Sequence, residues 1–224
     1  DSLDNRFLTS GQDKNCRVWC IKPKSDDTAV IKSNAPVTEL IKANRTITLK
    51  DQQYTIDTEA LLMGHEDMVL AGKFLDRHHI ITSSADRTII KWAEAEEAWQ
   101  SMLQVGDVTG IGTAGNGDLF DVDVLLETVG DSGNTTTIVA HNTNGTIVSW
   151  SEPTLQPIVL ASGHLNEVTD LVFDRPNGDY LLTCSLDRTT RAWRLTDTGG
   201  VLELARPQIH GYDIKSIDFI DTFQ

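Results

Sequence analysis

The sequence predicts an all-β chain whose repeated four-stranded antiparallel units are blades of a β-propeller, and three observations predict it. First, a turn residue is followed six positions later by tryptophan in four places: Asp13 to Trp19, Asp86 to Trp92, Asn144 to Trp150 and Asp187 to Trp193. Four of the five tryptophans fall into this register, the mark of an internal repeat. Second, His65 and His164, each preceded by glycine, stand 21 and 23 residues before Asp86 and Asp187. Third, the intervening stretches are short apolar–polar runs separated by turn residues, so each repeat reads as strands and hairpins. In the last full copy Val168 to Phe173, Tyr180 to Ser185 and Thr189 to Arg194 are strands, with turns at Arg175-Pro176-Asn177-Gly178 and Asp187-Arg188. An outer fourth strand fits just ahead of each following start, at Ala60 to Met63, Ile158 to Ala161 and Val201 to Ala205, and four antiparallel strands make one blade.

From the N terminus, residues 1–20 read as a partial blade ending in Trp19. Successive turn residues then lie 73, 58 and 43 positions apart, where repeats of this kind run about 40–45 residues, so the first two intervals hold insertions. One is 21–60, with a loop at Ile21 to Asp27 and an extra strand pair over Thr46 to Thr55. Residues 61–93 form a blade, and 94–118 read as linker or insertion, with Ala93 to Met102 a short acidic helix and Trp99 packed down on the blade. Residues 119–151 form a divergent blade and 152–200 a regular one. Residues 201–224 start the next, because His210 is followed by Ile214, Ile217 and Phe219 at the spacing seen in the earlier copies. The sum is about four blades plus a partial one, in one propeller domain. Rings of this type are commonly closed by seven, so the chain, which opens within a repeat and without methionine, reads as an internal fragment of a seven-bladed propeller.

These positions resemble the WD-repeat family. The resemblance implies a buried hydrogen-bonded chain from tryptophan through a hydroxyl and a histidine to an aspartate. It assigns His65, Thr82, Asp86 and Trp92 to one blade and His164, Thr183, Asp187 and Trp193 to another, with Thr9, Asp13 and Trp19 at the same places in the first. Such a chain is coherent because each buried polar group finds a partner. The 119–151 blade departs from it. Ala140 replaces the threonine, Asn144 replaces the aspartate and no Gly-His precedes it, so that blade is expected to be held mainly by packing. The same residue types would superficially permit a Ser/Thr-His-Asp catalytic set. A catalytic set occurs once per active site and needs an exposed nucleophile, whereas this one recurs in each repeat, so it is expected to be structural and the chain not an enzyme.

Composition narrows the partners. With 33 Asp and Glu against 19 Lys and Arg the formal charge is −14, which opposes general attraction to phosphate backbones or anionic lipid. Direct RNA contact would need a local basic patch. No apolar run approaches the roughly 18 residues of a membrane span, so no membrane partner is expected. Cys16, Cys20 and Cys184 form no CxxC pair and are odd in number, which argues against a metal site or a disulfide framework and for a reducing compartment. His78 and His79 lack metal-site spacing and read as polar turn residues. No cofactor or metal is expected.

One segment is more specific. Ala205 to Asp213 reads ARPQIHGYD and resembles the loop entering a late blade of the first propeller in the family of Elongator second subunits. Ile138-Val139-Ala140-His141 through Trp150, Ser162-Gly163-His164, Asp187 to Arg191 and the long insertion ahead of Gly64-His65-Glu66-Asp67 follow that family's order. The resemblance implies a cytoplasmic and nuclear, non-catalytic scaffold with two seven-bladed propellers, supporting wobble-uridine modification of transfer RNA. Its implied partners are the large first subunit and the catalytic third subunit of the Elongator complex. An unrelated WD-repeat adaptor that binds a peptide or protein is the alternative reading, since the fold serves many assemblies. Partner contacts are expected where the histidine loops and aspartate turns converge, among Lys14, Asp67, Arg87, Asn166, Arg188, Arg206, Gln208 and Tyr212. Arg206 and Tyr212 lead because arginine and tyrosine are favoured interface anchors.

Overall fold

Runs in which apolar side chains alternate or crowd together become strands, and the turn residues between them fix the hairpins. The structure, a computed structural model, describes residues 5–24, 44–50, 52–95, 98–106, 119–128, 134–151, 154–174, 180–196, 200–206 and 209–219, the side chains of 44, 119–128 and 134–136 excepted. These residues form sixteen strands and no helix. The first sheet comprises β1 (Arg6–Ser10), β2 (Asn15–Pro23), β3 (Asn44–Leu49) and β4 (Gln52–Met63), in the order β1-β2-β4-β3. The second is β5 (Val69–Asp76), β6 (His79–Ser84), β7 (Thr88–Glu94) and β8 (Trp99–Gly106). The third is β9 (Leu119–Thr128), β10 (Asn134–Asn142), β11 (Thr146–Ser151) and β12 (Pro157–Ser162), and the fourth β13 (Val168–Phe173), β14 (Tyr180–Ser185), β15 (Thr190–Leu195) and β16 (Val201–Ala205). In the last three sheets spatial order follows chain order, and every pairing is antiparallel.

The sheets stack face to face in chain order, the two middle ones burying apolar side chains on both faces. Cys16, Val18 and Leu62 of the first sheet pack on Val69, Ile80, Ile90 and Trp92 of the second. Ile81, Ile89 and Val105 on its other face meet Ile138, Ala140, Val148 and Trp150 of the third. Val139, Ile147 and Ala161 then meet Leu171, Phe173, Leu181 and Trp193 of the fourth. Ile80 and Ile81 are therefore both fully buried although they point to opposite faces, which is why β6 (HIITSS) sets two isoleucines side by side rather than alternating apolar with polar. Each such side chain contributes about 1.5–3 kcal/mol of burial. The first strands β5, β9 and β13 lie beside one another and mark the inner side of the stack. Arg6 bridges the first two sheets: its buried guanidinium reaches Glu59 at 3.1 Å and Glu94 at 3.4 Å, donates to the Arg77 carbonyl and lies over the Phe74 and Trp99 rings.

Several sequence expectations change. The 94–118 stretch holds the outer strand β8 where a short acidic helix over Ala93 to Met102 was expected. Leu103 and Val105 alternate into the core on one face, and Trp99 packs against the cluster that contains Trp92, so a period of two prevails over the acidic run. The expected 21–60 insertion contains most of β4, which continues unbroken through Met63 as the outer strand of the first sheet, with β3 added beyond it. The sheet boundaries also differ from the repeat boundaries. β12, within 152–200, pairs with β11 of the third sheet, and β16, within 201–224, pairs with β15 and completes the fourth. Ile214 and Ile217 form no strand. Thr169 Oγ1 donates to the Ile214 carbonyl at 2.8 Å, and the Ile217 N–H to Asp170 at 2.9 Å, so this segment runs along β13. The expected turn at 175–178 and most of the 94–118 linker lie outside the described residues.

A left-handed residue occupies a corresponding hairpin turn in every sheet, between β1 and β2 in the first and between the second and third strands in the others: Lys14 (φ 67), Arg87 (φ 66), Gly145 (φ 75) and Arg188 (φ 67). At Gly145 space as well as φ demands glycine, because a Cβ would lie 2.6 Å from the Asn166 carbonyl oxygen and 3.0 Å from that of His164. Gly145→Ala is expected to cost about 2–3 kcal/mol, combining αL strain with the carbonyl clash. Arg87→Gly, at the equivalent turn, is expected to be neutral or slightly stabilising. Urea unfolding of the two variants checks this, and a silent Gly145→Ala would refute it.

Candidate interaction face and its hydrogen-bonded tetrads

In the second sheet the loop entering β5 carries His65 back over the turn between β6 and β7. The Trp92 indole N–H donates to Thr82 Oγ1 at 2.9 Å, and Thr82 Oγ1 lies 2.8 Å from His65 Nε2. His65 Nδ1 is 2.9 Å from Asp86 Oδ2. The order that satisfies every atom has the threonine hydroxyl donating to Nε2 and the Nδ1–H donating to the carboxylate. Asp86 also accepts from the Glu66 and Thr88 N–H groups and the Thr88 hydroxyl. The fourth sheet repeats this: Trp193 to Thr183 at 2.9 Å, Thr183 to His164 at 2.8 Å and His164 to Asp187 at 3.0 Å. Asp187 likewise accepts from the Leu165 and Thr189 N–H groups and the Thr189 hydroxyl. The glycine before each histidine follows from packing, since a Cβ at Gly64 would stand 2.9 Å from Trp92 Cη2 and one at Gly163 2.6 Å from Arg191 Nη1.

Electrostatics follow the bonding. Burial raises the Asp86 carboxyl, but the bonds from His65, Thr88 and Glu66 outweigh it and hold the group well below the ordinary carboxylate range. Asp187 behaves the same way through Thr189, Leu165 and His164. His164 is pushed down by burial, which its Asp187 partner only partly offsets.

The other two sheets hold partial versions. In the first, the Trp19 N–H donates to Thr9 Oγ1 at 2.8 Å, and Asp13 turns outward to Arg17 at 2.5 Å. In the third, packed on both faces, a local hydrogen-bonded turn adds to the packing. Asn142, two residues ahead of the expected Asn144, accepts at Oδ1 from the Asn144 N–H, the Thr146 N–H and the Thr146 hydroxyl at 3.1, 3.2 and 2.8 Å. It combines the roles that Ser84 and Asp86 share in the second sheet, where the Asp86 N–H donates to Ser84 Oγ. Beside it His141 is fully buried, and that burial, with the charges of Lys73 and His164, pushes its imidazole down to about 3. Sequence reasoning gave neither residue a structural role; the signal was two polar residues in a run otherwise written for the core.

The candidate contact residues are placed unequally. Arg87 and Arg188 sit in the hairpin turns after the tetrad aspartates, and Arg188 Nε lies 3.5 Å from Asp213 Oδ1. Arg206 Nε donates to Glu203 Oε1 at 2.6 Å, and the other Glu203 oxygen takes the buried Arg191 at 2.8 Å, so Arg206 braces its own strand end. Tyr212 is 88% exposed. Gln208 lies outside the described residues. Among the described residues no three His, Cys, Asp or Glu side chains gather as metal ligands.

Four-stranded sheets stacked face to face, two of them locked by a Trp–Thr–His–Asp chain, have the architecture of WD40-type β-propeller blades. Residues 155–194 match the family described as WD domain, G-beta repeat. Across nearly its whole length the chain is similar to Elongator complex protein 2. It is 32% identical to the Homo sapiens protein over 249 residues, covering 97% of this chain and 28% of that protein. The Drosophila melanogaster protein is 32% identical over 247 residues, covering 100% of this chain and 29% of that protein. The Saccharomyces cerevisiae protein is 26% identical over 246 residues, covering 97% and 29%. The chain thus spans less than a third of the length of these curated relatives.

Proposed function

We propose that this chain is part of a non-catalytic scaffold subunit of the Elongator complex, cytoplasmic and nuclear, holding the large first subunit and the catalytic third subunit together for wobble-uridine modification of transfer RNA. The observation that carries the reading is the match to Elongator complex protein 2 in animals and yeast over 97–100% of the chain. The geometry supports a structural rather than catalytic use of the histidine–aspartate sets: each threonine hydroxyl is fully buried and bonded on both sides, leaving no nucleophile to present. Arg87, Arg188 and Tyr212 would then contact partners, and Arg206 would serve mainly as a brace.

Affinity purification of the full-length protein from its own cells in moderate salt, followed by mass spectrometry, tests this. Recovery of the large first subunit and the catalytic third subunit is expected. A reproducible but different set of partners would make it another WD-repeat adaptor and overturn the assignment.

A further inference from the structure

The first sheet reaches further than the other three. β7, β11 and β15 end one or two residues past their tryptophans, at Glu94, Ser151 and Leu195, whereas β2 runs four past Trp19 to Pro23. Pro23 pairs with Tyr54 of β4, and β3 pairs with β4 from Asn44 opposite Asp57 to Leu49 opposite Gln52. The result is a three-stranded arm that no other sheet carries among the described residues.

The register makes this arm two-faced. Ile56 stands between Ile21 and Arg45, Tyr54 between Pro23 and Ile47, and Leu49 lies opposite Gln52. Residues paired across strands, or two apart along one, share a side. Ile21, Ile47, Leu49, Tyr54 and Ile56 therefore continue the side of the first sheet that carries Trp19. The opposite side carries Lys22, Thr46, Thr48, Gln53 and Thr55, and there Lys24 Nζ donates to Gln53 Oε1 at 3.0 Å. An antiparallel sheet patterned in this way solvates its polar face and packs the apolar one. Here the apolar side stands open at Leu49, which is 57% exposed.

The adjoining part of the same side indicates the occupant. On each of the other three sheets the tryptophan side lies under the sheet before it: Cys16, Val18 and Leu62 cover Trp92, Ile81, Ile89 and Val105 cover Trp150, and Val139, Ile147 and Ala161 cover Trp193. Trp19 keeps the place of Trp92 and Trp193 and their bond to a threonine, and it stacks on Phe7 with ring centroids 6.0 Å apart, yet it is only half-buried. A sheet of the same build fits over it. The relatives hold more than two thirds of their length outside the matched region, which is polypeptide enough to supply one. A separate protein would have to share with that sheet a strip that runs on from Trp19 without a break.

We propose that the arm is a clasp on the protein's own continuation. A further sheet of the same polypeptide covers Trp19 as the first sheet covers Trp92, and the arm reaches past its rim and closes on it with Ile47, Leu49 and Tyr54. A sheet that stops two residues past its tryptophan, as β7 and β15 do, ends level with Ile21 and Ile56, so its rim meets the root of the arm. The clasp goes beyond the scaffold reading and holds whichever complex the chain serves.

Photo-crosslinking in the full-length protein tests it, with benzoylphenylalanine placed at Leu49 on the apolar side or at Thr48 on the polar side. From Leu49 the cross-link is expected within the same polypeptide, to residues outside 1–224, and it is expected to be lost when the probe moves to Thr48. Cross-links from Leu49 to another protein, to a second copy or to residues within 1–224 overturn the proposal, and so does their absence. In full-length protein stripped of partners, Leu49→Asp is expected to lower the thermal midpoint by about 2–4 °C, while Thr48→Asp leaves it in place. Equal shifts for the two would trace the loss to strand propensity and also overturn the clasp.

Discussion

Replacing Asp187 by alanine is expected to destabilise the chain by about 3–5 kcal/mol in urea unfolding. The carboxylate accepts from His164, the Leu165 N–H and both donors of Thr189, and its side chain is only 6% exposed. Removing it leaves His164 Nδ1 and two backbone N–H groups without their acceptor in a region closed to water. Thr183→Val breaks the chain one link earlier and is expected to cost about 2–3 kcal/mol, since Trp193 and His164 both lose their shared hydroxyl. Asp13→Ala is the internal control. That carboxylate is 45% exposed and its partner Arg17 is also open to solvent, so the midpoint should stay close to its starting value. Equal losses at Asp13 and Asp187 would show that the closed hydrogen-bonded chain contributes nothing beyond its turn.

Acid is expected to weaken the chain in two separate windows. His141 ordinarily titrates near 6.5 and is pushed down to about 3 in the fold. Between those values the unfolded chain takes up a proton that the folded chain refuses, so stability is complete above the unfolded value and falls as pH drops towards the folded one. Between pH 7 and about pH 4.5 the loss should be roughly 2–3 kcal/mol. His164, shifted in the same direction, adds to it. Asp86 and Asp187 act lower: their carboxyls are held below the ordinary 3.8, so their contribution is present above that value and lost beneath it. Unfolding free energies measured at pH 7 and pH 4.5 for the unaltered chain and for His141→Leu decide the matter. The substituted chain should lose markedly less, and identical losses would remove His141 as the cause.

The parts of this fold legible in the sequence are those where chemistry and spacing coincide. An indole N–H, a hydroxyl, an imidazole and a carboxylate can only meet if strand, hairpin and returning loop have fixed lengths. Those lengths leave a countable interval between Asp86 and Trp92 and between Asp187 and Trp193. The illegible parts lack such a constraint. Glu94 to Glu97 favour a helix on local grounds, and only the neighbouring sheet, which buries Val105 and part of Leu103, makes Trp99–Gly106 a strand. Asn142 was hidden by alignment: Asn144 stands where the aspartate belongs, but the amide that reaches Thr146 comes from two residues earlier. Sheet membership was displaced by one strand for a related reason, since a repeat read from its histidine ends one strand short of the sheet that completes it.

That displacement gives the stack a direction. The chain leaves the outer edge of one sheet at Ser162, crosses the loop pinned by His164 to Asp187, and enters the inner edge of the next at Val168. The pin that anchors this crossing belongs to the sheet ahead, while the slack it removes belongs to the sheet behind. A fault at Asp187 should therefore surface first as fraying of β12, one sheet upstream, so that damage travels backwards along the chain from the residue that caused it.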